Sequence, residues 1–139
     1  VSASANKLTS QGLANIAWSY GKLDASACNL EVVVVDIARV AAGKMKELSP
    51  QHLSNLCWAL AKTSASDVGL FHRFAKEASP RLNAFASANL AATVWAFASV
   101  RVRNEQLCAA IAEEASRRLD DLRPPELCNI AWALTKLGA

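Results

Sequence analysis

The 139-residue sequence has little with which to interrupt a helix: five Gly and four Pro. All-β folds need turn residues at close, regular spacing, so this scarcity weighs against strands. Charge is sparse as well, with Asp, Glu, Lys and Arg making up 19% of the chain against 53% apolar residues. That balance excludes a charge-extended disordered chain and supplies one domain with a sizeable core. The four cysteines at 28, 57, 108 and 128 form no C-x-x-C pair, and the two histidines add no metal-ligand spacing. They read as small buried thiols kept reduced, and no metal is expected. Also missing are a G-x-S-x-G elbow, a phosphate-cradling Gly loop and paired carboxylates in a foreseeable cleft. Neither an enzyme nor a cofactor is therefore expected. The opening residues carry no signal-peptide pattern. An uncharged run at 82–100, bounded by Arg81 and Arg101, has the length of a short membrane span. Its Asn, Ser and Thr content makes it a buried helix instead, so no membrane insertion is expected.

Aromatic residues are few, 6% of the chain, yet the four tryptophans are regularly placed. Trp18, Trp58, Trp95 and Trp132 are separated by 40, 37 and 37 residues. Around them LANIAWSYGKL (13–23) returns as LSNLCWALAKT (53–63), LAATVWAFASV (90–100) and LCNIAWALTKL (127–137). A second block, GLFHRFAKEASPRLNAF (69–85), aligns without gaps on QLCAAIAEEASRRLDDL (106–122). A fixed period in this range is the signature of stacked helical repeats. The predicted fold is all-α, an α-solenoid of helix-turn-helix units at 8–47, 48–84, 85–121 (degenerate) and 122–139 (a half unit).

In each unit the Trp segment is the first helix. Thr9 and Ser49 are its expected N-caps, and Pro50 and Pro124 fit the first helical position, where a missing N–H costs nothing. The second helix is expected at roughly 67–84 and 104–121, with Pro80 ending or kinking the former. In the first unit it falls on EVVVVDIARVAAGKMKEL, where four valines favour a strand locally but Leu30, Val33, Val34 and Ile37 keep helical spacing. The last unit lacks a second helix, which leaves an apolar edge for a longer array or a partner to cover.

At about 100° per residue, the first helix sorts into two faces by offset from Trp. Offsets −5, −2, −1, +2 and +5 are apolar and form a packing stripe, for example Leu127, Ile130, Ala131, Leu134 and Leu137. Offsets −7, −6, −3, +1 and +4 form a polar strip: Gln11, Gly12, Asn15, Ser19 and Lys22, then Gln51, His52, Asn55, Ala59 and Lys62. The fourth unit repeats it as Pro125, Glu126, Asn129, Ala133 and Lys136; the third, with Ala88, Asn89, Ala92, Ala96 and Ser99, has lost both Asn and Lys. Stacked units would align these strips into one groove. Amides at −6 and −3 suit hydrogen bonding to bases, a Lys in each unit suits a phosphate, and small residues at +1 leave room for a ligand.

PPELCNIAWALTKLG (124–138) and SPQHLSNLCWALAKT (49–63) resemble the octotricopeptide repeat, whose consensus is close to P-P-x-x-x-A-N-x-x-W-A-L-A-K-L-G. The resemblance covers nearly the whole chain. It implies a right-handed α-solenoid that binds RNA in a mitochondrion or chloroplast, in transcript stability, processing or translation, or as a subunit of an organellar ribosome. The implied partner is single-stranded RNA or an rRNA segment, with neighbouring proteins of a ribonucleoprotein complex alongside.

On this reading Lys22, Lys62 and Lys136 contact phosphates, assisted by Arg101 and Arg103. Gln11, Asn15, Gln51, His52, Asn55, Asn89, Glu126 and Asn129 face bases or sugars. Trp18, Trp58, Trp95 and Trp132 pack between units or stack on bases, and the Asn residues bond either a neighbouring unit's backbone or a ligand. Each Lys is alternatively a solvated cation offsetting the helix dipole. Arg117 and Arg118 have Glu113 and Glu114 at helical spacing and read as surface ion pairs. A rival function is an armadillo-like scaffold whose amides and tryptophans grip an extended peptide.

Overall fold

The computed structural model describes residues 30–62 and 67–138, with side chains from residue 36 onward. Gln11, Asn15, Trp18 and Lys22, with the cap expected at Thr9, lie outside the described residues. Among the described residues the chain is all-helical, with no strand. Six α-helices follow in order: α1 (Leu30–Ala42), α2 (Pro50–Lys62), α3 (Val68–Ala78), α4 (Ser87–Ser99), α5 (Glu105–Arg117) and α6 (Pro124–Lys136). Short 3-10 helices at Met45–Glu47, Ser79–Ala84 and Leu119–Asp121 lead into α2, α4 and α6.

Local chemistry accounts for the boundaries. Asp67 and Asn104 cap α3 and α5, their side chains accepting from the N–H of Leu70 (3.1 Å) and Leu107 (2.9 Å). Pro50 and Pro124 open α2 and α6 as expected. The valine-rich segment is helical, so its β propensity yields to its context. The uncharged run is split between the end of the Ser79–Ala84 3-10 helix and α4, 13 residues long, and no described helix is long and apolar enough to cross a membrane.

Pro80 does lie in a 3-10 segment, but α1 and α5 end at the corresponding place without a proline. A recurring arginine is common to the second and third units. Arg81 donates to the carbonyls of Leu48 and Met45, the latter at 3.5 Å. Thirty-seven residues later Arg118 donates to the carbonyls of Phe85 (2.7 Å) and Leu82 (2.8 Å). Each guanidinium thus bonds the end of the preceding unit's 3-10 helix, supplying a donor to the Leu48 or Phe85 carbonyl and a second one to the Met45 or Leu82 carbonyl, which already accepts from the Leu48 or Phe85 N–H. Arg118 is also ion-paired to Glu114 at 3.1 Å and is largely buried. It is an inter-unit staple, which corrects its reading as a surface ion pair. Arg117 does make the surface pairs, to Glu113 (2.8 Å) and Glu114 (3.0 Å).

The helices lie in two rows, α1–α3–α5 and α2–α4–α6, with the most extensive packing between α2 and α4 and between α4 and α6. Ala59, Ala96 and Ala133, all at offset +1, are each 0% exposed. The small +1 residues therefore let neighbouring helices approach one another and leave no room for a ligand, the reverse of the expectation. Across the α2–α4 seam the buried Ser54 hydroxyl donates to the Asn89 carbonyl at 3.4 Å, and that carbonyl also accepts from the buried Thr93 hydroxyl of its own helix at 2.7 Å. Between the rows the apolar stripe meets the second helices. Phe71 of α3 and Phe97 of α4 meet edge to face, centroids 5.1 Å apart.

The stripe is buried in α2 (Leu53, Leu56, Cys57 and Leu60) but only partly in α6. Ile130 and Leu137 are buried, Leu134 is half-buried, and Leu127 and Ala131 are exposed. Cys57 and Cys108 are buried as expected, while Cys128, on the same open side of α6, is exposed.

Candidate nucleic-acid interface

The tryptophan helices α2, α4 and α6 share one row, so the residues around each Trp fall on adjacent turns of neighbouring helices. Trp58 and Trp95 are half-buried and Trp132 is 47% exposed. None of the three belongs to the fully buried core, and Trp95 packs partly buried against it. Trp58 and Trp95 line a cavity of about 400 Å³ between α4 and α6. Ala88, Ala91 and Ala92 of α4 form one side, and Pro125, Glu126 and Asn129 of α6 another. Arg123 stands at its edge.

Asn55 is half-buried and Asn129 exposed, and neither side-chain amide makes a hydrogen bond among the described residues. The structural alternative for these amides, a bond to a neighbouring unit's backbone, is thus absent there. Asn129 opens directly onto the cavity.

The residues at offset −6 have a different task. In α6, Glu126 takes the third helical position and accepts from the Arg123 backbone N–H (2.9 Å) and from its guanidinium (3.1 Å). The two halves close the first turn as a capping pair. The Arg123 guanidinium, by hydrogen bonding to it, holds the Glu126 carboxyl below the usual carboxylate range. In α2, His52 occupies the same position. The Ser49 hydroxyl accepts from the His52 N–H (3.2 Å) and lies 2.7 Å from its Nδ1. Both candidates for base contact are therefore engaged locally in helix capping, a use that helix-wheel reasoning missed although the S-P-x-H and R-P-P-E spacings contain it. Asn89, at the same offset in α4, is half-buried, and Gln51 is exposed.

The cations at offset +4 are exposed and paired with tryptophan. Lys62 lies over the Trp58 ring at 5.7 Å from its centroid, and Lys136 over Trp132 at 4.8 Å. In α4, where Ser99 replaces Lys, the hydroxyl donates back to the Trp95 carbonyl at 2.8 Å. Beyond α4, Arg101 is exposed at a φ of 58°, and Arg103 is exposed and ion-paired to Glu105 at 3.5 Å. His72 lies on the surface of α3, 2.9 Å from the Asn104 amide and away from the cavity.

Amide, indole and cation thus gather along one row, two indoles and one free amide sharing a cavity. Such a set has the chemistry to hold flat, hydrogen-bonding, anionic ligands. Among the described residues no cluster of His, Cys, Asp and Glu has the makings of a metal site. Compared with known proteins, the chain matches no family model and no curated sequence.

Proposed function

We propose that the chain is a right-handed α-solenoid whose tryptophan-helix row binds single-stranded RNA, acting in organellar gene expression as a transcript factor or as an rRNA-binding subunit of a ribonucleoprotein. One observation carries the reading: the unbonded Asn129 amide opens onto a cavity walled by Trp58 and Trp95, with the Lys62 ammonium over the Trp58 ring. Base-stacking surface, hydrogen-bonding amide and phosphate-compatible cation are the three parts a single-strand reader needs. Lys136, Arg101 and Arg103 extend the cationic surface along the array. The organellar setting follows from the resemblance of the Trp segments to octotricopeptide repeats.

An extended peptide is the competing occupant of such a groove, and the cations weigh against it, since a peptide backbone has no need of Lys62 and Lys136 beside the indoles. Titrating the protein with labelled single-stranded RNA, duplex RNA and an uncharged extended peptide tests the reading. The single strand should bind most tightly and quench tryptophan emission. Preferential binding of the peptide would overturn the proposal.

A further inference from the structure

We propose that the cavity over the alanine side of α4 is a subsite for a purine base, an inference that rests on the RNA-binding reading above. The third unit, the least faithful in sequence, is the one that creates the space. Where α2 and α6 carry Asn55 and Asn129 three residues before Trp, α4 carries Ala92. With Ala88 and Ala91 beside it, this substitution leaves the cavity of about 400 Å³ that Trp58 and Trp95 flank. That volume lies within the range of roughly 300–1,000 Å³ typical of small-molecule sites. An Asn side chain at position 92 would project from the same face and occupy part of it.

The lining favours a large flat base. Two indoles present stacking surface, and a bicyclic purine covers more of it than a pyrimidine. The Asn129 amide offers two donors and an acceptor with no partner among the described residues. An amide of that kind pairs in two bonds with the adjacent donor and acceptor on a purine edge, such as adenine N6 and N7. Glu126 does not compete for this role, because its oxygens hold the Arg123 backbone and guanidinium. Lys62, over Trp58 on one wall, supplies positive charge beside the base for the phosphate that accompanies it. The weakened repeat is thus an enlarged reading position.

The test compares a short oligo(U) with the same strand carrying one adenosine at its centre, titrated by fluorescence anisotropy against the whole chain. The adenosine strand should bind about tenfold tighter, the size of one good amide–base pairing. Ala92→Asn restores the residue that α2 and α6 already tolerate at this offset, so its helix content by circular dichroism should be unchanged. It should bring the two strands to equal affinity, as should Asn129→Ala. Equal affinities in the unaltered protein, or an adenosine preference that survives Ala92→Asn, would overturn the purine subsite and leave the RNA reading standing. Failure to bind either strand would overturn both.

Discussion

Lys136 holds its ammonium over the Trp132 ring, 4.8 Å from the centroid, one helical turn past it. The same pair recurs as Lys62 on Trp58 at 5.7 Å. Here is the physical reason for a Lys four residues after Trp in fixed relation: the indole face anchors the cation while leaving it at the surface. Replacing Lys136 by Met should cost about 0.5–1 kcal/mol in urea denaturation, and Lys136→Arg should recover most of it. No loss with Met would mean that the ring does not hold the cation.

The arginine staples make a larger prediction. Arg118→Met takes the guanidinium donor from the Phe85 carbonyl, leaves the Leu82 carbonyl with only the Phe85 N–H, and removes one of Glu114's cations. A loss of about 2–3 kcal/mol is expected from chemical denaturation. Arg118→Lys should recover only part, because a single ammonium cannot reproduce the two-pronged geometry of the guanidinium. Arg81→Met should behave alike at the preceding junction.

The succession of helices was legible because it is written by periodicity. Four tryptophans at near-constant spacing, with Ser49, Pro50 and Pro124 at helix starts, mark the units before any contact is known. The staples were not legible. Arg81 and Arg118 act on carbonyls more than thirty residues away, and helical spacing placed Glu114 near Arg118 without revealing Leu82 or Phe85. The site was legible in part. A helical wheel puts Asn129 and Ala133 on one face, but only packing decides that Ala133 lies in the seam and Asn129 faces the cavity. Glu126 and His52 were misjudged because a face count ignores that helix starts need polar partners of their own.

Acid should act on the α6 cap. The Glu126 carboxyl is held below its ordinary value of 4.5, chiefly by the Arg123 guanidinium hydrogen bond. A depressed folded-state value means that this stabilisation is complete above about pH 4.5 and is lost as pH falls through the lower folded value. Glu126→Gln retains a residue able to close the capping box but removes the titration. Its stability should therefore fall less steeply than the parent's below pH 4.5. Parallel acid limbs would contradict the assignment.

The thiols should separate by reactivity. Burial pushes the Cys57 thiol far above its usual range and raises that of Cys108, while Cys128 is exposed. With Cys28 replaced by Ser, one thiol should react rapidly with a maleimide under native conditions, and Cys128→Ser should abolish that phase. Fast labelling of Cys57 would contradict the packing of α2.

The salt dependence of RNA binding tests the central claim most directly. Three lysines, Lys22, Lys62 and Lys136, each neutralising one phosphate of a single strand, should give log affinity against log salt a slope near −2, about −0.7 per contact. Replacing all three by Ala should flatten the slope by about that amount, leaving only what Arg101 and Arg103 contribute, while the protein keeps its helix content. A slope unchanged by the triple substitution would contradict the placement of RNA along the tryptophan-helix row.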